Sequence, residues 1–103
     1  MKNKKLNGAT FNDIRDWAKE RELYKKGDVK TQFIKLQEES GELAKAILNE
    51  NENEIIDSIG DIVVVLTNLS HLAGYKIEDC IDQAYFEISN RKGKMINGTF
   101  KKN

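Results

Sequence analysis

A chain of 103 residues is enough for one domain with a modest core, small enough that self-association would help it. Lys+Arg and Asp+Glu balance at 17 each, so net charge offers no general attraction to nucleic acid or to a membrane surface, and neither is expected as a partner. The single cysteine, Cys80, excludes an intrachain disulfide and fits a reducing compartment.

No stretch approaches the roughly 20 apolar residues of a bilayer span. The basic start of the chain lacks the apolar region of a signal peptide. Cytoplasm, of a cell or of an infected host, is the expected location. Lysines gather at the two ends (Lys2, Lys4, Lys5; Lys92, Lys94, Lys101, Lys102) around an acidic middle, and both ends are expected to be solvated.

Four helical segments account for most of the chain, with no proline, repeat or linker between them. The first is expected from about Thr10 to Leu23. Thr10 can cap it with Asp13 three residues on, and Phe11, Ile14, Trp17 and Ala18 form an apolar stripe. Tyr24 to Asp28 breaks the pattern. A second helix, from about Thr31 to Leu48, is expected to bury Phe33, Leu36, Ser40, Leu43 and Ile47, with Gly41 as a local weak point.

Asn49 to Asn53 reads as a polar turn, followed by a third helix from about Glu54 to Leu72 that stops before Gly74. Its centre, Ile62 to Leu66, is apolar all round, as in the most buried helix of a bundle. The fourth spans about Ile77 to Lys92, with Asp79 and Asp82 early and Arg91 and Lys92 late, in keeping with the helix dipole. Gly93 to Gly98 reads as a turn or short hairpin within a basic tail, 93–103. Cys80 is expected to be a small buried residue and His71 a satisfied or solvent-facing one. The fold class is all-α, a four-helix bundle-like core over about 10–92 in a single domain, 1–103.

Three glutamates share one turn of the second helix. With Glu38 at 0°, Glu42 falls near about 40°, Lys35 near about 60° and Glu39 near about 100°. The acidic group therefore borders the apolar stripe. Asp57 and Asp61, at i and i+4, share a side of the third helix. A short connection makes these two helices antiparallel neighbours, so the acidic patches meet at similar depth.

Carboxylates repel, and a divalent cation among them is the simplest remedy. Oxygen-only ligands favour Mg²⁺, with Mn²⁺ as substitute. A di-iron or zinc site is disfavoured because His71 is the only histidine. On this reading Glu39, Glu42, Asp57 and Asp61 hold the metal and Glu38 orients or deprotonates a water. The plain alternative is a solvated acidic face, which Glu50, Glu52 and Glu54 fit well. Lys35 suits a local ion pair as well as a phosphate contact. Arg91, Lys92 and Lys94 could meet outer phosphates or end a solvated helix. Trp17 could stack on a base but more often belongs to a core, and Asn68 could reach a ribose or cap a buried network.

Gln32-x-x-Lys35-x-x-Glu38-Glu39-x-x-Glu42-Leu43, then Asp57-Ser-Ile-Gly60-Asp61-Ile62, resembles the MazG-like members of the all-α nucleoside triphosphate pyrophosphohydrolase superfamily over roughly residues 11–92. That superfamily's pattern is E-E-x-x-E followed by E-x-x-D. The ending Asn90-Arg-Lys-Gly-Lys-Met95 is similar to small phage and Gram-positive MazG-like proteins. The resemblance implies Mg²⁺-dependent hydrolysis of a (deoxy)nucleoside triphosphate to the monophosphate and pyrophosphate. It also implies a four-helix core, a homodimer or homotetramer, and the cytoplasm of a bacterium or a phage-infected host. By position it assigns Glu39, Glu42 and Asp61 to the metal, with Glu38 as the further acid.

Two positions depart from the pattern. Ser58 stands where the family has an acid, with Asp57 beside it as a stand-in. Phe86 stands where family members often carry an asparagine, ahead of Glu87 and Arg91. Two other readings stay open: a non-catalytic helical interaction protein, and a hydrolase of the same fold acting on another pyrophosphate-bearing metabolite.

Overall fold

Two long helices joined by a tight turn set the architecture in the computed structural model, which describes residues 8–103. The expectation for Lys2, Lys4 and Lys5 lies outside the described residues. In chain order the elements are α1 (Phe11–Glu20), α2 (Leu23–Lys26), α3 (Val29–Leu48), α4 (Glu52–Leu72), α5 (Ile77–Ser89) and a hairpin of β1 (Gly93–Ile96) with β2 (Thr99–Lys102). The fold is all-α apart from that hairpin, with α3 and α4 packed antiparallel as its centre.

The turn between α3 and α4 is specified by hydrogen bonding at its ends. Glu50 takes a left-handed conformation (φ 53°), which lets its N–H reach the Ile47 carbonyl at 3.1 Å and the Asn51 N–H reach that of Ala46 at 3.0 Å. These are the two bonds of a Schellman motif. Asn51 then caps α4, its side-chain oxygen accepting from the Glu54 N–H at 3.2 Å. Helix therefore resumes at Glu52, two residues before the expected start. Gly74 (φ 95°) closes α4 in the same way, with the Tyr75 N–H on the Ser70 carbonyl at 2.8 Å.

At the first helix Thr10 and Asp13 form a reciprocal capping box. The helix stops at Glu20 rather than Leu23, because Glu22 is left-handed (φ 61°) and turns the chain. The segment expected as an irregular break instead contains the single turn α2. That turn carries Tyr24 against α4, where its hydroxyl donates to Asn68 Oδ1 at 2.6 Å and its ring stacks on His71 with centroids 3.9 Å apart. Partial burial, with the charges of Lys19 and Arg15, holds the exposed His71 below its ordinary pKa. Asp28 caps α3 through the Thr31 N–H at 2.8 Å, starting that helix at Val29.

Burial departs from the sequence expectation in several places. On α3, Leu36 and Leu43 are half-buried, but Phe33 and Ile47 are 50% and 54% exposed and Ser40 faces solvent. The apolar centre of α4 is not enclosed: Val65 is buried while Val63 is exposed. Trp17 is exposed and covered on one side by the Arg21 guanidinium, 4.5 Å from the ring centroid. Cys80 is exposed, not buried. Among the described residues the buried apolar side chains are Ala18, Ala46 and Val65. Periodicity marks which faces are apolar, not which of them the described residues cover.

α5 ends at Ser89, so Arg91 and Lys92 lie beyond it and do not complement its dipole. Asn97 (φ 51°) and Gly98 (φ 83°) make the two-residue turn of the hairpin, which pairs Met95 with Phe100 and Lys94 with Lys101. By length and composition α4 is apolar enough to cross a membrane, which corrects the expectation that no segment approaches that. Its placement against α1, α2, α3 and α5, and its Asp57 and Asp61, are those of a bundle's central helix.

The start of α5 is tied to α1 by the buried Arg15, whose guanidinium donates to both carboxylate oxygens of Glu78 at 2.8 and 2.6 Å and to Asn12 at 2.7 Å. The Arg15 hydrogen bonds pull the Glu78 carboxyl down to about 2. A depressed carboxylate stabilises the fold above its unfolded pKa and loses that contribution as pH falls. Glu78→Gln should therefore lower the melting temperature at neutral pH. The gap from wild type should narrow from about pH 4.5 toward about 2, measured by thermal unfolding across that range.

Candidate metal centre

The acidic residues are brought together by the α3–α4 turn. Glu39 on α3 and Asp61 on α4 are equidistant in sequence from Glu50 at the turn, so antiparallel packing sets them across from one another. Glu42 lies one turn nearer the connection on α3, and Asp57 one turn nearer on α4. Small residues line this part of the pair: Ala46 and Ser58 are both buried.

Glu39 is the unusual member. It is 6% exposed, and its Oε1 is fully buried without a hydrogen-bond partner. Its Oε2 lies 3.4 Å from Lys35 Nζ, which also reaches Glu38 Oε1 at 4.0 Å. A buried carboxylate oxygen left bare is costly, and native proteins rarely tolerate one without a reason.

The Asp61 carboxyl is pushed up from its ordinary value, first by burial and then by the charges of Asp57 and Glu39, a hydrogen bond with Asp57, and the charge of Glu42. Carboxylates from both helices thus press on one group, Asp61. Among the described residues, no three acidic, histidine or cysteine side chains stand close enough together to enclose an ion as they are placed. The donor set is all oxygen, and with the bare Glu39 Oε1 it fits a hard divalent cation.

Glu38 sits at the solvent edge, its side chain 61% exposed. Lys35 is engaged as an ion pair. The Asn68 carbonyl is committed to Tyr24, in the polar network at the far end of α4. Arg91 pairs with Glu87 at 3.9 Å, Lys92 precedes the hairpin and Lys94 lies within β1. Trp17 is exposed on α1, and among the proposed site residues those of α3 and the first half of α4 are the ones on neighbouring antiparallel helices.

An open cleft of about 830 Å³ lies elsewhere, between the end of α4 and α5, lined by His71, Tyr75, Cys80, Gln83 and Glu87 among others. It contains none of the α3 acids. The acids of α3 and α4 and this cleft are separate parts of the surface. Sequence reasoning missed Arg15 and Tyr24. A cation one residue after Ile14 in an apolar stripe was the available signal for the first; nothing marked the second, since it lies in an apparent break.

The MazG nucleotide pyrophosphohydrolase domain matches residues 28–96, which takes in both acidic helices. A relative, an uncharacterized 18.2 kDa protein from the rep-hol intergenic region of Haemophilus phage HP1 (strain HP1c1), is 41% identical over 58 residues. That stretch is 56% of this chain and 36% of the relative, so the match spans little over a third of the relative's length. No solved structure matches the chain.

A carboxylate raised in the fold destabilises the protein once ionised, at pH above its unfolded value. In chelator, Asp61→Asn should therefore raise the melting temperature at neutral pH. The gain should fade as pH falls through the raised pKa and be gone below 3.8, where the wild-type group is protonated in both states. Thermal unfolding with and without added divalent cation checks this, since the cation should reverse the order of the two proteins.

Proposed function

Because the chain belongs to the MazG nucleotide pyrophosphohydrolase family, we propose that it hydrolyses (deoxy)nucleoside triphosphates to the monophosphate and pyrophosphate. The observation that carries this reading is the buried Glu39, with a bare oxygen across from an Asp61 crowded by other carboxylates. Glu39, Glu42, Asp57 and Asp61 would hold Mg²⁺, or Mn²⁺ in its place. When bound, the cation offsets the charge that develops on the pyrophosphate as the α–β bond breaks.

The residues of the chain have separable tasks. Glu38, at the edge of the acidic group and open to solvent, accepts a proton from the attacking water and aims its oxygen at the α-phosphorus, in line with the leaving pyrophosphate. The water oxygen ends on the nucleoside monophosphate. Lys35 is the nearest cation on α3 to meet a phosphate. Arg91, Lys92 and Lys94 supply further positive charge for the outer phosphates. Trp17 offers a ring face and Asn68 an amide, but both stand farther from the acids along the fold.

A second copy of the chain is the partner we propose for the open apolar faces of α3, α4 and α5. Phe33, Ile47, Ile59, Ile81 and Tyr85 are each about half exposed or more, and among the described residues Ala18, Ala46 and Val65 make a scant buried apolar core. A homodimer or homotetramer would complete the bundle. The cytoplasm, of a bacterium or a phage-infected host, is the location we infer for a nucleotide hydrolase with one exposed thiol.

Incubation with each NTP and dNTP in Mg²⁺ should release pyrophosphate and monophosphate from at least one; orthophosphate with diphosphate, or no release from any, would overturn the reaction assigned. Glu42→Gln should lower kcat by about a hundredfold or more, the scale of losing one electrostatic contact to the reacting centre. The same variant should melt no lower than wild type in chelator, since it removes a like charge from the cluster.

A further inference from the structure

The acidic group contains one internal cation, and its placement is not what helix stability alone would select. Lys35 precedes Glu39 by four residues, and within a helix the favourable order of such a pair is glutamate first. Lys35 Nζ holds Glu39 Oε2 at 3.4 Å and stands 4.0 Å from Glu38 Oε1. Its own side chain is half exposed, whereas that of Glu39 is 8% exposed. The ammonium thus approaches a buried carboxylate from the solvent side and satisfies one of its two oxygens, while the other stays buried and bare.

We infer that Lys35 is a resident counter-ion for Glu39, which surrenders that carboxylate to an incoming divalent cation and passes to a phosphate of the substrate. The inference rests on the metal-site reading above and adds to it the coupling between cation and nucleotide. A divalent cation held by these acids would compete with the ammonium for the charge of Glu39 and repel it. The lysine stem is long, flexible and rooted on the same face as Glu38 and Glu42, so rotation about its own bonds moves the ammonium to the rim where a polyanion would lie. No backbone change is needed. Lys35 then competes with the cation when no nucleotide is present and assists once one is.

A purely structural ion pair would not couple those two events, and the test turns on that difference. Mn²⁺ is titrated into the full chain by calorimetry without nucleotide. The four α,β-imido deoxynucleoside triphosphates, whose bridge resists hydrolysis, are then titrated in saturating Mn²⁺. Lys35→Met keeps the apolar stem and removes the charge; it should bind Mn²⁺ about two- to fivefold more tightly, the worth of an exposed ion pair. It should bind the tightest of the four analogues about tenfold more weakly, as expected for loss of one charged contact. Lys35→Arg keeps the competitor and should leave Mn²⁺ affinity at or below that of wild type.

Unchanged or weaker Mn²⁺ binding by Lys35→Met, or undiminished analogue affinity, overturns the role of Lys35 while the metal site stands. Absence of Mn²⁺ binding by wild type overturns the site itself, and the counter-ion role with it.

Discussion

Everything in this fold that bears on chemistry depends on one constraint: the α3–α4 turn forces carboxylates from two helices into each other's field. The turn is fixed by backbone bonds from Glu50 and Asn51 and by the Asn51 cap, none of which can relax to relieve the repulsion. Glu39 and Asp61 are therefore kept near each other at a local cost in stability. The helix pair tolerates that cost because small buried residues, Ala46 and Ser58, let the backbones pack closely on either side.

The two ends of α4 treat polar groups in opposite ways. Toward its C-terminus, Thr67 and Ser70 bond back to the carbonyls of Val63 and Leu66, Asn68 accepts from Tyr24, and nearby Arg15 has both nitrogens matched by Glu78 and Asn12. Toward its N-terminus, Asp57 and Asp61 face acids and a bare Glu39 oxygen. A chain able to satisfy its buried groups at one end has not been prevented from doing so at the other by any lack of polar residues. Among the described residues the buried side-chain atom left without a partner, Glu39 Oε1, lies at the acidic end.

Much of this was legible in the sequence because it is local. The spacing of Glu38, Glu39 and Glu42, and of Asp57 and Asp61, places each set on one helical face whatever the rest of the chain does. Thr10 with Asp13, and Gly74 at the end of α4, mark boundaries through chemistry that acts within a turn. What escaped is what depends on distant partners. Neither the left-handed Glu22 nor the single helical turn carrying Tyr24 has a composition signal, and the burial of Arg15 depends on Glu78, far along the chain. Phe33 and Ile47 show the same limit from the other side: their spacing marks an apolar face, but spacing cannot say whether one chain or two will cover it.

Ser58 shows how the departure from the family pattern is accommodated physically. It is 5% exposed and packed in the seam between the central helices, where an ionised side chain would lose its water with few partners to replace it. Asp57, one residue earlier, is exposed and one turn from Asp61, so its carboxylate keeps solvent access while still acting on the same group. Moving the acid by one position thus trades a charge buried in the helix seam for one at its rim. The cluster keeps its negative field, and a residue small enough for close packing remains where the helices touch. That geometry leaves Glu39 as the only deeply buried carboxylate among these acids, and its bare oxygen, rather than the number of acids nearby, is what sets the group apart from a solvated acidic face.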